Sequence, residues 1–317
     1  MKIIENLFNQ SSLIKAEARK LGFDGCGIAR VEALQEDAVY LNDWLARHYH
    51  AGMAYMEKHT EKRSDPAKLV EGALSVISVL LNYYPAKTQA DPEAPVLAKY
   101  AFGKDYHDVV RKKLKHLLNY IHSDIAPVSG RFFVDSAPVL QKAWAVRAGL
   151  GWIGKNTCLI SPQVGSFCFI GTLIVNIPLH YDKAVIASCG NCTLCIDACP
   201  TQAIVAPRVL DARRCIAYLT IENQSNIPME FEGKFACRVF GCDICQDICP
   251  WNHKAVVHQE KDFDPVPELL EMTRANWYRM DEEQFNRFFK GSAVKRTKFK
   301  GLKRNLEFIS GGNGSLR

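Results

Sequence analysis

No run of this chain approaches the ~18–20 apolar residues that a membrane span needs. The opening Met1-Lys2-Ile3-Ile4-Glu5 lacks the charged start and apolar core of an export signal. Both absences point to a soluble cytoplasmic protein, where thiols stay reduced. They also argue against a disulfide scaffold, which belongs to small secreted domains rather than to a chain of 317 residues. Nothing repeats internally except one cysteine motif. Acidic residues are missing from 290–304, which carries Lys290, Lys295, Arg296, Lys298, Lys300, Lys303 and Arg304. That run is either a solvated face or a phosphate-binding patch, with Phe299 inside it as a single base-stacking candidate.

The chain does have cysteine, 12 in all. Cys189, Cys192, Cys195 and Cys199-Pro200 follow the C-x-x-C-x-x-C-x-x-x-C-P spacing of bacterial ferredoxins, and Cys242, Cys245 and Cys249-Pro250 nearly repeat it. Zinc sites use paired C-x-x-C units without the cysteine–proline closure. Two 4Fe–4S clusters are therefore expected, and they need eight thiolates. The second motif is one short, because Val239 stands where its first cysteine belongs. Cys215 and Cys237 are the candidates for the eighth. Cys237 is so close to Cys242 that ligation would strain the loop, which favours Cys215. The cysteine before proline ligates the other cube. The expected sets are thus Cys189, Cys192, Cys195 and Cys249 on one cluster, and Cys199, Cys215, Cys242 and Cys245 on the other. Cys26, Cys158 and Cys168 lie in apolar strand-like segments and read as core residues.

With 48% hydrophobic and 23% charged residues the chain can bury a substantial core. Apolar spacing places helices at 13–21, 33–48 and 105–122, and strands at 23–29, 73–84 and 131–134. A further helix is expected from a Ser136 cap to Ala148, with Pro138 in its first turn. Strands at 157–160 and 167–177 are expected to pair as a hairpin. The fold class is α/β (α+β). Its expected parts are an α/β domain at 1–183, a cluster-built domain at 184–255 and a basic helical segment at 256–317 packing back on the first.

Gly149-Leu-Gly151-Trp-Ile-Gly154-Lys155-Asn156 mimics two nucleotide-binding motifs. Both need a strand before the loop and a helix after it. Here a helix precedes and a strand follows, and Asn156 replaces the magnesium-binding Ser/Thr. The glycines read instead as a helix stop and tight turns. Asp135 ends a strand just before a helix, where α/β domains place catalytic groups; a capping or surface carboxylate is the equal alternative. Asp105-Tyr106-His107 gathers three proton-bearing groups, or else a capping Asp over a packed aromatic.

The segments Tyr100-Ala-Phe-Gly-Lys-Asp-Tyr-His107, Val134-Asp-Ser-Ala-Pro-Val139, Ala148-Gly-Leu-Gly-Trp-Ile-Gly-Lys-Asn-Thr157, Cys215-Ile-Ala-Tyr-Leu-Thr-Ile-Glu222 and Lys300-Gly-Leu-Lys-Arg-Asn305, with both cysteine motifs, resemble the epoxyqueuosine reductases. These are tRNA-modifying relatives of the cobalamin-dependent reductive dehalogenases. The resemblance implies a nitroreductase-like domain holding cobalamin without an axial histidine, beside a ferredoxin-like two-cluster domain. It implies electrons passing through the clusters to cobalt, and reduction of epoxyqueuosine to queuosine at the wobble position of tRNA. Asp135 would be the proton donor, its pKa raised by burial, with Asp105 and Tyr106 in support. Lys58, Ala98, Ser161, Ile170, Cys242 and Asp243, with Asp135, would neighbour cobalamin. Lys295, Arg296, Lys298 and Arg304 would meet the anticodon stem-loop, and a flavodoxin or ferredoxin would supply electrons. Longer members add helical repeats where this sequence ends, so the resemblance leaves open how far the tRNA is gripped. A reductive dehalogenase of small molecules, a ferredoxin-type electron carrier and an RNA-binding module with structural clusters are the competing readings.

Overall fold

The computed structural model describes residues 2–311. Helix α1 (Lys2–Lys20) starts well before the apolar spacing indicates and leads into strand β1 (Gly25–Arg30). Helices α2 (Gln35–Ala46) and α3 (Thr60–Ser64) precede the long strand β2 (Ser75–Asn82). Strand β3 (Val96–Leu97), helix α4 (Tyr106–Tyr120), strand β4 (Gly130–Phe133) and helix α5 (Gln141–Arg147) follow. Short strands β5 (Trp152–Ile153) and β6 (Leu159–Ile160) come next, then β7 (Cys168–Val175).

Four strands form one antiparallel sheet in the order β1-β2-β7-β4. Strand β2 is buried along its whole length, because helices cover both faces. Successive side chains of a strand point to opposite faces. Ile77, Val79 and Leu81 accordingly meet Ile14 and Ala18 of α1 and Val110, Leu114 and Leu117 of α4. Val76 on the other face meets Ala143 and Trp144 of α5. The expected 157–177 hairpin does not form: β6 pairs with β5, while β7 runs between β2 and β4. The two-residue strands complement each other locally, whereas β7 is long and apolar enough to sit at the sheet centre.

The cysteine region carries helix α6 (Leu194–Asp197), strands β8 (Ile204–Ala206) and β9 (Val209–Leu210), helix α7 (Ile216–Ile221), strand β10 (Arg238–Phe240) and helix α8 (Ile244–Asp247). Strand β10 pairs in parallel with β3, which ties this region to the first. Helices α9 (Pro267–Leu270), α10 (Arg274–Arg279), α11 (Glu282–Phe288) and α12 (Lys298–Ile309) complete the described chain. Trp277, Phe285, Phe289, Leu302 and Leu306 from these helices share one core with Leu97 and Phe102 and with Val239 and Phe240. The last segment thus packs on both preceding regions. No described helix is long and apolar enough to cross a membrane.

Candidate functional site

The two cysteine motifs adopt the same local shape. Each bends into a one-turn helix, α6 or α8, after a residue of nearly identical backbone: Thr193 at φ −121, ψ 4 and Asp243 at φ −107, ψ 2. Cys189, Cys192, Cys195 and Cys249 line one pocket with Lys155, Asn156 and Trp251. Burial, then the neighbouring Cys189, Cys249 and Cys192, push the Cys195 thiol up to about 11. Burial also raises Cys249, with Cys189 and Cys192 adding to the effect.

The second group behaves alike. Burial pushes Cys242 up to about 12, with a contribution from Cys215, and it raises Cys215 beside Cys199. Cys245 is raised by Cys158 first, then by burial, with Cys215 and Cys242 adding. Cys237 is not among the principal neighbours of these three thiols; its backbone is left-handed and its carbonyl accepts from Val96 N–H at 2.8 Å. Buried thiols that raise one another fit an iron–sulfur cube, whose irons convert them to bound thiolates. No three His, Cys, Asp or Glu among the described residues converge as ligands of one metal ion. The cysteines of a cube go to separate irons and so stand farther apart. Cys158, which reads as a core residue, lies buried beside Cys245, and that contact lowers its thiol pKa.

Asp135 stands where β4 ends, in a turn held by left-handed backbone at φ 55. A non-glycine residue in that region marks a site that its surroundings over-determine. The bracing residue is Gln141. Its Oε1 accepts from Asp135 N–H at 2.7 Å, and its Nε2 donates to Phe133 O, Ile170 O and Thr172 Oγ1 at 3.1 Å each. Sequence reasoning missed it, because a helix starting at Ser136 would have pointed Gln141 elsewhere. Helix α5 instead begins at Gln141, and Ser136 caps nothing, since the turn through Asp135 and Pro138 occupies 134–140.

Around Asp135 a chain of proton-bearing groups closes. Tyr106 Oη donates to Asp135 Oδ2 at 2.7 Å. His107 Nε2 lies 3.6 Å from the same oxygen, an ion-pair distance, and His107 Nδ1 meets Asp105 Oδ1 at 2.7 Å. Asp105 also caps α4 by accepting from His107 N–H at 2.9 Å. The capping and proton-bearing alternatives for Asp105 therefore both hold.

The electrostatics contradict one expectation. The Asp135 side chain is 68% exposed rather than buried. The hydrogen bond to His107, against an opposing desolvation, holds its pKa below the usual carboxylate range. The proton resides on His107. Burial opposes its charge, but hydrogen bonds with Asp105 and Asp135 outweigh burial and push it up to about 9. Burial disfavours the Asp105 carboxylate, yet the bonds from His107 keep it low. Burial, reinforced by the Asp135 charge, keeps Tyr106 protonated far above its ordinary pKa.

Tyr106 stacks on Phe169 at 4.2 Å and meets Tyr100 edge-on at 6.2 Å, so aromatic rings form one wall beside Asp135. Tyr100 lies within electrostatic reach of Asp243, Asp135 and Glu222. Tyr55 likewise lies near Glu222, Asp135 and Arg296. Asp135 and the Arg296–Glu222 pair therefore both act on Tyr55. Ala98, Cys242 and Asp243 come together around a cavity of about 160 Å³. Asp243 is buried and accepts from Lys99 N–H at 2.7 Å. Ile170 joins the Asp135 side through its carbonyl bond to Gln141. Lys58 is exposed and gives only its carbonyl to Arg63, while Ser161 is buried in a bridge with Gly165. Neither borders that cavity.

The basic run divides. Lys295, Arg296 and Lys298 are exposed. Arg296 makes a two-pronged pair with Glu222 at 2.5 and 2.9 Å. Arg304 is a correction: its guanidinium donates to Leu219 O, Asn223 O and Ser225 O, and to Asn305 Oδ1. It caps carbonyls in the last turn of α7 and just beyond it, so its guanidinium is engaged within the protein. Phe299 packs toward Phe285 in the core rather than offering a stacking face.

Residues 63–136, which hold Asp105 and Asp135, match the family described as "Epoxyqueuosine reductase QueG, DUF1730". Residues 188–252 match a "4Fe-4S double cluster binding domain". The chain is similar to an epoxyqueuosine reductase of Cellulophaga algicola, 53% identical over 94% of this chain and 97% of the relative. It is also similar to one of Pseudomonas aeruginosa, 46% identical over 92% and 82%. Among solved structures, an epoxyqueuosine reductase with an epoxyqueuosine-modified tRNA-Tyr stem loop superposes at a TM-score of 0.88, with 29% identity over 96% of this chain and 81% of that one. One from Bacillus subtilis, whose aspartate-bearing catalytic loop is swung out of the active site, gives 0.88 with 28% identity over the same shares.

Proposed function

The chain belongs to the epoxyqueuosine reductase family, and from that premise we propose that it reduces epoxyqueuosine to queuosine in tRNA with Asp135 as the final proton donor. An epoxide becomes an alkene by taking up two electrons and two protons and releasing water. The iron–sulfur clusters and cobalamin, when bound, would supply the electrons. Cys189, Cys192, Cys195 and Cys249 would hold one cluster, and Cys199, Cys215, Cys242 and Cys245 the other.

Ala98, Cys242 and Asp243 would meet cobalamin. Their cavity of about 160 Å³ fits an arm or an edge of such a cofactor, being smaller than a typical ligand pocket. Tyr100, within electrostatic reach of both Asp243 and Asp135, would lie between this contact and the proton-bearing groups. The buried Asp243 carboxyl is an acceptor suited to an amide arm.

The residues' own part is proton delivery. His107 Nε2 holds the proton and stands 3.6 Å from Asp135 Oδ2. As negative charge grows on the departing epoxide oxygen, the proton held on His107 passes through Asp135 Oδ2 to that oxygen, and a second proton taken up from solvent by the same route completes the water. Asp105 keeps the imidazole oriented and charged. Tyr106 holds the Asp135 carboxylate in place through its 2.7 Å bond. This arrangement is the observation that carries the proposal, because an electron carrier has no use for a charged imidazole between two carboxylates, one of them open to solvent.

The exposed Lys295, Arg296 and Lys298 would meet phosphates of the anticodon stem-loop, and Arg296 would exchange Glu222 for one. A flavodoxin or ferredoxin would be the electron donor. The test is anaerobic turnover of epoxyqueuosine-containing tRNA, with and without added cobalamin, read as nucleosides by mass. Queuosine should form only with cobalamin. Formation without it removes cobalamin from the account, and no conversion by fully clustered, cobalamin-loaded protein removes the activity.

A further inference from the structure

The Gly149–Asn156 loop follows helix α5 and leads into strand β5, the reverse of a nucleotide-binding loop, yet its glycines are placed for a reason. Gly149, at φ 74, ends α5: Gly149 N–H donates to Val146 O and Leu150 N–H to Ala145 O, both at 3.0 Å. A Cβ on Gly151 would sit 2.1 Å from Ile160 O, so only glycine lets β5 lie this close to β6. This fixes Trp152 opposite Ile160.

Trp152 is 6% exposed and packs in one small core with Ile160 and Cys249, flanked by Cys189. Trp251 closes on it edge-to-face at 4.7 Å. Its indole N–H is buried with no acceptor among the described protein atoms. An unmet buried donor costs about 1–3 kcal/mol. Trp277 carries a second unmet indole, but its core contains no cysteine. Trp152 alone of the two lies against cluster cysteines. Three residues on, Lys155 lines the pocket of Cys189, Cys192, Cys195 and Cys249 and is pinned there by a 2.8 Å bond to Gly190 O.

Resting on the functional reading above, we propose that this loop sets the reduction potential of the cluster held by Cys189, Cys192, Cys195 and Cys249. Trp152 Nε1–H donates to a sulfur of the cluster, and Lys155 places a positive charge beside it. A reduced cube carries one more negative charge than an oxidised one. Hydrogen bonds to sulfur and nearby positive charge therefore favour reduction. The loop thereby raises the potential of this cluster and eases its reduction by the external donor. Trp152 and Lys155 are positioning residues, acting through the cluster.

The test is an EPR-monitored redox titration of anaerobically reconstituted protein, without tRNA or cobalamin. Trp152→Phe and Lys155→Met should each lower the reduction equilibrium of one cluster about tenfold, about 59 mV for a one-electron couple, and leave the other unmoved. In wild-type protein with 15N-labelled tryptophan, the reduced cluster should show 15N hyperfine coupling that Trp251→Phe retains and Trp152→Phe removes. Unchanged midpoints at full iron content, or no such coupling, would overturn this inference while leaving the epoxide-reducing reading intact. Failure of the wild type to assemble clusters would overturn both.

Discussion

Cys189, Cys192 and Cys195 come from a single loop, and only Cys249 is carried in from elsewhere. The groups around Asp135 are drawn from two segments, with Tyr106 29 residues before the carboxylate it holds. The first site is organised by local spacing and shields its thiols. The second is organised by tertiary packing and leaves its working carboxylate exposed. The two sites are thus differently built: thiols spaced mainly along one loop, and a left-handed turn that Gln141 steadies. The loop from Gly149 to Cys158 touches the cage side of both clusters, while Gln141 of the preceding helix steadies the proton side.

Removing a cage thiol should do the most. Cys215→Ser should lower bound iron from about eight to about four per chain and abolish turnover, whereas Cys237→Ser should leave iron content unchanged. Equal loss in both, by iron analysis, would break the assignment of the second cage.

The proton side should fail more gently. His107→Asn should reduce turnover by about 10²-fold or more with full iron retained. In the native protein the folded pKa of about 9 exceeds the ordinary histidine value, so the fold favours the charged form. The stability this contributes is complete below about 6.5 and is lost as pH rises through about 9. Turnover should fall over the same upper range, and His107→Asn should remove that limb from the pH profile. A limb unchanged in the variant would assign it to another group.

Smaller effects separate the two arginines. Arg304→Ala should lower the melting temperature, since it leaves the Leu219, Asn223 and Ser225 carbonyls without their partner at about 1–3 kcal/mol. Its tRNA salt dependence should stay as it was. Arg296→Ala should leave the melting temperature nearly unchanged, because exposed ion pairs contribute about 1 kcal/mol or less. It should also reduce the slope of log affinity against log salt by about one. The opposite pattern would exchange their roles.

The difference between the regions also explains what could be read in advance. Cysteine spacing alone suggests which thiols can share a cube, so a double-cluster region was legible in the sequence, and the choice of Cys215 over Cys237 rests on the strain argument. The α/β class was legible too, from the apolar alternation of β2 and β7. The 157–177 hairpin was not, since pairing partners depend on which strand the sheet centre recruits. Asp135 and the Asp105-Tyr106-His107 group were visible as separate candidates. Their union was not, nor was the location of the proton: Asp135 is exposed and paired, so the charge it attracts sits on His107 instead. Gln141 escaped notice because the helix begins later than its proline suggests. Arg304 looked free because the carbonyls it binds lie about 80 residues earlier in the chain.

The central claim is that Asp135 delivers the proton on behalf of His107. It is tested most directly by single-turnover conversion of epoxyqueuosine-containing tRNA by Asp135→Asn, reconstituted to full iron and cobalamin. The account predicts wild-type cluster spectra with queuosine formation slowed by about 10²–10⁴-fold. Queuosine formation at the wild-type rate would contradict it.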